Sequence, residues 1–123
     1  MSEVKSLDEI KKFWPQNAPD IHNVSRYVSK YKNEKIVIKC GGKVLIDPSL
    51  FDNFIEDVSV LYKLGLKVII IHGGGPRIKK ELAKLNIESE FINGLRVTNK
   101  QTMEVVEKAL VDFNFEIIKK FEK

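Results

Sequence analysis

The sequence has 123 residues, of which 43% are apolar and 31% charged, with a net charge of +4. This is the length of one domain, and the composition excludes collagen-like, disordered and disulfide-scaffold proteins. Its 18 lysines and three arginines are interspersed with acidic residues, which favours a solvated surface over a nucleic-acid patch. A single cysteine, Cys40, and the lack of any long apolar run predict a cytoplasmic protein without a membrane partner.

Two short amphipathic helices are predicted before the first strand. Ser6 and Glu9 have the spacing of a capping box, and Pro15 ends the helix that follows them. A second helix begins near Pro19 and has an apolar side made of Ile21, Val24, Val28 and Tyr31. Residues 1–34 therefore form a predicted N-terminal helical extension, which either packs on the domain or docks on a neighbouring subunit.

The centre of the chain has the pattern of a strand, a helix and a second strand. Residues 35–39 and 67–71 are the predicted strands, and Ser49–Leu64 is the predicted helix, with Gly65 as its left-handed cap. This order predicts parallel strands joined by a right-handed crossover. The run of β-branched residues before the glycines predicts that the second strand is buried on both faces.

Each predicted strand leads directly into glycines, at 41–42 and at 73–75. Parallel strands end at the same edge of a sheet, where open α/β folds bind their ligands. A helix predicted from Pro76 to Leu85, with Ile78, Leu82 and Leu85 facing inward, follows the second glycine loop. Backbone N–H groups and the positive end of its dipole would therefore face an anion there. Neither loop has a Walker A or dinucleotide pattern, and a tight turn without a ligand is the alternative.

Four side chains near these loops are candidates for chemistry. Lys39 ends a strand beside a glycine turn and would reach either into the crevice or out to solvent. Arg96 follows a hairpin turn, and its guanidinium suits a carboxylate, with a surface salt bridge as the alternative. His72 is more typical of a packed, hydrogen-bonded residue than of a catalyst, and Cys40 is typical of a small buried residue. The cysteine and histidines lack metal-ligand spacing, so no metal site is predicted.

The last third of the chain is predicted to contain a hairpin and a long helix. Asn93-Gly94 is a strong turn signal between residues 90–92 and 95–97. Thr98 and Gln101 have capping-box spacing, which predicts the start of the helix. Its inward-facing residues are predicted to be Met103, Val106, Leu110, Phe113, Ile117, Ile118 and Phe121.

Four motifs are similar to those of a known family: Val-Ile-Lys-Cys-Gly-Gly at 37–42, Ile-His-Gly-Gly-Gly-Pro at 71–76, Phe-Ile-Asn-Gly-Leu-Arg-Val-Thr at 91–98 and Thr-Met-Glu-Val-Val-Glu at 102–107. In them the chain resembles the amino-acid kinase family, and the third motif resembles the branch that phosphorylates N-acetyl-L-glutamate. The resemblance implies an α/β fold, a three-layer αβα arrangement with a mainly parallel open sheet, preceded by the helical extension. Residues 35–123 would be the domain for the amino-acid substrate, with the nucleotide-binding half absent.

The resemblance also implies an activity, the transfer of the γ-phosphoryl group of ATP, accompanied by Mg²⁺, to the side-chain carboxylate of N-acetyl-L-glutamate in arginine synthesis. That carboxylate is already ionised at pH 7, so catalysis needs positioning and charge stabilisation more than a base. By resemblance, the catalytic residue is Lys39, the phosphate loop is Gly41 and Gly42, and the substrate-binding residues are Gly74, Gly75 and Arg96.

Three further expectations follow from this resemblance. Without the second half, the chain alone should turn over little or nothing. Family members with an added N-terminal helix form ring-like hexamers, which implies a homo-oligomer through residues 17–32. A non-catalytic ligand-binding or assembly module is the alternative, whereas a carbamate or isopentenyl-phosphate kinase would not explain Asn-Gly-Leu-Arg-Val-Thr. The chain departs from the family pattern Gly-Lys-Val-Asn after Leu110, where it reads Val-Asp-Phe-Asn-Phe.

Overall fold

A computed structural model describes residues 5–122 of the protein and, for Lys43, the backbone alone. Five α-helices and four β-strands succeed one another in this part of the chain, with one 3₁₀ turn at Gly42–Leu45. The elements are α1 (Leu7–Lys11), α2 (Ile21–Tyr31), β1 (Lys35–Cys40), α3 (Pro48–Lys63), β2 (Lys67–His72), α4 (Gly75–Lys84), β3 (Phe91–Ile92), β4 (Leu95–Arg96) and α5 (Lys100–Phe121).

The predicted capping box at the start of α1 is confirmed. The hydroxyl of Ser6 accepts a hydrogen bond from the backbone N–H of Glu9, and the carboxylate of Glu9 accepts one from the N–H of Ser6 at 2.7 Å. These hydrogen bonds stabilise the charged carboxylate and lower the pKa of Glu9. Two N–H groups that the helix leaves without an internal partner are thereby satisfied.

One compact unit consists of the residues up to Ile38 together with Asp52–Ile71. Its core is apolar and combines residues of α1, α2 and the end of α3, namely Ile10, Val24, Val28 and Leu64. Tyr31 lies outside this core, 42% exposed, where its ring stacks on that of Tyr27. Tyr31 is on the predicted apolar side of α2, beside the same depression as Val24 and Val28, but it is less buried than they are because α2 ends at this residue. The domain boundary at residue 34 stays a prediction.

Strands β1 and β2 are neighbours in a two-stranded sheet. The carbonyl of Glu34 accepts from the N–H of Lys67 at 2.9 Å, and the carbonyl of Cys40 accepts from the N–H of Gly73 at 3.3 Å. The pairing thus advances by the same number of residues on both strands, which is the pattern of a parallel ladder. The parallel strand–helix–strand unit predicted from the sequence is confirmed, and Gly65 has the expected positive φ of 97°.

The prediction that β2 is buried on both faces is wrong. Val68, Ile70 and His72 are half-buried, whereas Ile69 is 47% and Ile71 54% exposed. The reason is that the described residues cover only one face of this sheet. The three-layer arrangement stays a prediction.

The second compact unit consists of Lys39–Phe51 together with the described residues from His72 onward. Helix α4 packs on α5 through an apolar cluster centred on Ile78, Leu82 and Ala109. Strands β3 and β4 form the predicted hairpin, in which Phe91 pairs with Arg96 and Ile92 with Leu95. Both turn residues, Asn93 and Gly94, have positive φ, as a two-residue turn of the primed type requires.

Two predictions about α5 are wrong. Its N-cap is Asn99, whose side chain accepts from the N–H of Thr102 at 2.8 Å, whereas the hydroxyl of Thr98 donates to the carbonyl of Arg96. Met103 and Ile118 were predicted to face inward but are 52% and 45% exposed. Apolar residues occur all around α5, and its packing on α4 selects the buried face, which is made of Thr102, Ala109, Phe113 and Ile117.

The end of α4 differs from its prediction by one residue. Leu85, predicted to face inward at the end of α4, is the C-cap residue and is 58% exposed because the helix ends before it.

Within residues 5–122, no helix combines the length and hydropathy needed to cross a lipid bilayer.

Candidate functional site

The two glycine loops begin side by side. Strand β1 ends at Cys40 and β2 ends at His72, and the carbonyl of Cys40 accepts from the N–H of Gly73. Because the strands are parallel, both loops leave the same edge of the sheet. The expectation that the loops converge at the carboxyl ends of the strands is therefore confirmed.

The first loop is open and partly requires glycine. A Cβ built on Gly41 would meet no atom within 4 Å, so a ligand could approach its backbone. Gly42 has a φ of +57°, a conformation that residues with a side chain rarely adopt, and it begins the 3₁₀ turn. The loop thus combines accessible backbone with one position that depends on glycine.

The second loop forms an uncapped helix start. Gly74 is the N-cap of α4, and the first turn contains Pro76 but no acidic residue. The other described α-helices each begin with a side chain that accepts from their backbone, provided by Ser6, Asp20, Asp47 and Asn99. The first N–H groups of α4 are consequently left for water or for an anionic ligand.

Gly74 and Gly75 differ in their surroundings. A Cβ on Gly74 would lie 2.7 Å from Cδ2 of Leu110, so the side chain of Leu110 would have to shift to admit a residue other than glycine there. A Cβ on Gly75 would meet nothing within 4 Å. Packing against α5 therefore explains the glycine at 74, whereas open space at 75 is compatible with a ligand.

Lys39 lies one residue before the junction of the loops, and its side chain is exposed. The alternation along β1 points Lys39 away from the face that buries Cys40, which is 3% exposed. Burial raises the pKa of the Cys40 thiol, as expected for a small apolar-like residue rather than a nucleophile. The catalytic role of Lys39 stays a prediction.

Arg96 is held on the hairpin rather than at the loops. Its guanidinium donates to the hydroxyl of Ser89 and lies over the ring of Phe91, 4.7 Å from the centroid. Among the described residues it has no acidic partner, which disfavours the surface salt bridge. The guanidinium therefore keeps its charge and further N–H donors for a ligand, and its role in substrate binding stays a prediction.

The sequence interpretation missed Asn114. Its side-chain nitrogen lies 3.1 Å from Nε2 of His72, and Nδ1 of the same ring lies 3.1 Å from the carbonyl oxygen of Gly73. The edge of the imidazole also faces the ring of Phe113 at 5.2 Å. His72 is thus packed and hydrogen-bonded, as predicted. The contact could not be predicted from spacing because the two residues are 42 apart, although Asn114 keeps the last residue of the family pattern Gly-Lys-Val-Asn.

Arg77 was also missed. Its guanidinium makes a two-point ion pair with Glu116 of α5 and lies over the ring of Phe113, 4.0 Å from the centroid. The hydrogen bonds from Arg77 lower the pKa of Glu116. This pair borders a cavity of about 480 Å³ lined by residues of the 3₁₀ turn, α4 and α5. The start of α4 is therefore fixed to α5 by charge as well as by packing.

Metal-ligand side chains are not clustered in the part of the chain that the structure describes. Within the described residues, no three or more histidine, cysteine, aspartate or glutamate side chains are grouped so that they could hold a metal ion.

Comparison with known proteins identifies relatives along most of the chain. Acetylglutamate kinase of Pelagibacter ubique is 53% identical over 111 residues, which cover 90% of this chain and 38% of that protein. Acetylglutamate kinase of Campylobacter fetus is 50% identical over 84 residues, covering 68% of this chain and 30% of that protein. The match therefore spans only 38% and 30% of the length of these two relatives.

Solved structures share the fold at lower identity. N-acetylglutamate synthase from Neisseria gonorrhoeae, in complex with coenzyme A and N-acetyl-glutamate, superposes with a TM-score of 0.61 at 20% identity, over 82% of this chain and 23% of that chain. Residues 34–121 match the model of the amino acid kinase family. With its parallel strands ending in two adjacent glycine loops, this chain belongs to the amino acid kinase family.

Proposed function

We propose that this chain provides the amino-acid-binding part of a kinase that transfers a phosphoryl group from ATP to the side-chain carboxylate of N-acetyl-L-glutamate, a step of arginine synthesis. The observation that carries the proposal is the junction of the two glycine loops, where the uncapped start of α4 lies beside the end of β1. The identity of 53% to a relative named acetylglutamate kinase supports the choice of substrate.

The reaction requires two anions to approach each other. An oxygen of the substrate carboxylate attacks the γ-phosphorus, the bond from that phosphorus to the bridging oxygen breaks, and ADP leaves with the electron pair. No base is needed, because the carboxylate is ionised at pH 7. The ammonium of Lys39 and the backbone N–H groups of Gly41 and Gly42 would stabilise the charge on the transferred group. Mg²⁺ would enter as part of the nucleotide substrate, bound to its phosphates.

The substrate itself would be held by backbone and guanidinium donors. The N–H groups at the start of α4, at Gly74 and Gly75, are suited to an anionic or carbonyl oxygen. Arg96, which has no acidic partner among the described residues, would bind the α-carboxylate through its fork of donors. These two sets of donors would fix the substrate at both ends, so that its side chain faces Lys39.

Calorimetric binding of N-acetyl-L-glutamate tests this proposal directly. N-acetyl-L-glutamine is the matched control, since it replaces the reacting carboxylate by a neutral amide of the same shape. We expect it to bind about tenfold more weakly or worse, because a charge-assisted hydrogen bond contributes about 1.5–3 kcal/mol. Equal binding of the two compounds, or binding of neither by a chain with a native circular dichroism spectrum, would contradict the proposal.

Acyl-phosphate formation tests whether this chain supplies only part of the enzyme. Incubation with ATP, Mg²⁺ and N-acetyl-L-glutamate, with hydroxylamine as the trap, should give little or no hydroxamate from the 123 residues alone. The reason is that the interactions with the nucleotide are proposed to come from elsewhere. Turnover comparable to that of a full-length kinase would show that the 123 residues contain the whole site.

We further propose that the helical extension joins copies of this chain. Tyr27 and Tyr31 of α2 stack on each other while remaining 57% and 42% exposed. They border an apolar depression of about 300 Å³ lined also by Trp14 and Leu61. Exposed aromatic residues beside an apolar depression are typical of the centre of a protein interface.

A further inference from the structure

The imidazole of His72 connects α5 to the second glycine loop. One ring nitrogen, Nε2, lies 3.1 Å from the side-chain nitrogen of Asn114, and the other, Nδ1, lies 3.1 Å from the carbonyl oxygen of Gly73. The N–H of Gly73 is bonded in turn to the carbonyl of Cys40. Both polar groups of Gly73 are therefore engaged, one by the sheet and one by His72.

These contacts define which ring nitrogen carries the proton. The carbonyl of Gly73 can only accept, so Nδ1 must be the protonated nitrogen. In a neutral imidazole Nε2 is then an acceptor, and it needs a donor. The amide nitrogen of Asn114 is that donor, so Asn114 selects the Nδ1–H tautomer, which is the less favoured one for histidine in water.

One neighbour of His72, the ring of Phe113, is fixed by its burial. Phe113, whose ring meets the imidazole edge, is 1% exposed, and its ring is also covered by the guanidinium of Arg77. Arg77 is paired with Glu116 on the same helix as Asn114. Asn114 itself is exposed, and it directly follows the buried Phe113 on α5.

The orientation of the Gly73 carbonyl also determines the orientation of the N–H group of Gly74. The carbonyl of Gly73 and the N–H of Gly74 belong to one planar peptide group, and the described chain has no cis peptide bond. In a trans peptide these two groups point in opposite directions. A carbonyl directed at His72 therefore directs the N–H of Gly74 away from the imidazole.

We infer that Asn114 is a positioning residue for the anion-binding loop. Through the tautomer of His72 it holds the carbonyl of Gly73, and thereby aims the N–H of Gly74 at the bound anion. The identification of this anion as the substrate depends on the proposed function. The hydrogen bonds from Asn114 to His72 and from His72 to Gly73, which we call the relay, do not depend on it. Asn114 itself touches neither the loop backbone nor the substrate in this role.

The tautomer can be read directly by long-range ¹H–¹⁵N NMR, at a pH where both histidines are neutral. Wild-type His72 should show a protonated Nδ1, and exposed His22 on α2 serves as the internal reference for the ordinary tautomer. In Asn114→Ala, His72 should shift towards Nε2–H. In Asn114→Asp, whose carboxylate only accepts, Nε2 should become protonated. An Nε2–H tautomer of His72 in the wild type would overturn the relay.

Binding of N-acetyl-L-glutamate tests the consequence for the loop. Asn114→Ala should weaken binding several-fold, and Asn114→Gln, which keeps an amide donor, should restore part of the loss. Gln101→Ala removes an exposed amide from the same helix and should bind like the wild type. If the wild type binds and Asn114→Ala binds equally well, the positioning role is wrong. If the wild type shows the Nδ1–H tautomer but does not bind, the proposed function fails and the relay stands.

Discussion

At the scale of single residues, Arg96 provides the sharpest test of the substrate assignment. Its guanidinium has neutral neighbours, Ser89 and Phe91, so its charge is not cancelled within the hairpin. We expect Arg96→Ala to weaken binding of N-acetyl-L-glutamate by roughly 10- to 100-fold, the effect of losing a charge-assisted hydrogen bond. Calorimetry is the measurement, and Arg26→Ala on α2 removes the same side chain from an exposed position as the control. Unchanged affinity in Arg96→Ala would exclude this role.

The contribution of Gly74 to packing can be measured by comparing alanine variants at positions 74 and 75. Gly74→Ala would bring a Cβ within 2.7 Å of Leu110, although a φ of −156° is accessible to any residue. We expect a loss of about 1–3 kcal/mol in the free energy of unfolding, measured with urea, as is usual for overpacking. Gly75→Ala should not destabilise the chain, because its Cβ would enter open space.

A double variant completes this test. Leu110→Ala removes the clashing methyl groups, so the combined Gly74→Ala/Leu110→Ala variant should lose less stability than the sum of the two single variants. Strict additivity would show that Leu110 is not what restricts residue 74.

At the scale of elements, the ion pair between Arg77 and Glu116 links α4 to α5 and makes their association depend on pH. The pKa of Glu116 is lowered in the folded chain, so the stabilisation is present above the ordinary carboxyl pKa and is lost as the pH falls through the folded value. We expect Glu116→Gln to reduce the free energy of unfolding at pH 7 but much less at pH 3. Because the Glu116 side chain is 53% exposed, the difference should be only about 0.5 kcal/mol.

Urea unfolding at the two pH values measures this difference. Arg77→Ala should remove the pH dependence of the Glu116→Gln effect, since the glutamate then has no guanidinium to stabilise its charge. A loss that is equal at both pH values, or larger in acid, would contradict the assignment.

The ends of helices and the turns were predictable wherever they depend on residues close together in the sequence. The capping box of Ser6 and Glu9, the turn at Asn93-Gly94 and the left-handed Gly65 all act within a few residues, and the structure contains each of them. The buried face of α5 was not predictable in this way. Apolar side chains occur on more than one side of that helix, and only its packing on α4 excludes Met103 and Ile118 from the core.

The candidate site was also predictable only in part. The convergence of the glycine loops follows from topology, because parallel strands that each end in glycine must release their loops at one edge. The contacts behind the second loop depend on α5, which begins 25 residues after Gly75 in the printed sequence. The contacts of Asn114 and Arg77 therefore could not be predicted from spacing, although Asn114 keeps the asparagine of the family pattern Gly-Lys-Val-Asn.

At the scale of the whole molecule, the proposed association of copies through α2 gives the last prediction. Tyr27→Asp/Tyr31→Asp should reduce the mass measured by light scattering after gel filtration, because charges replace the aromatic pair at the proposed contact. Tyr62→Asp on α3 is the matched control, since Tyr62 is 71% exposed and does not line the depression beside α2. A mass that falls in the Tyr27→Asp/Tyr31→Asp variant but not in Tyr62→Asp would assign the interface to α2. An equal fall with Tyr62→Asp, or a wild type that is monomeric at every concentration, would contradict it.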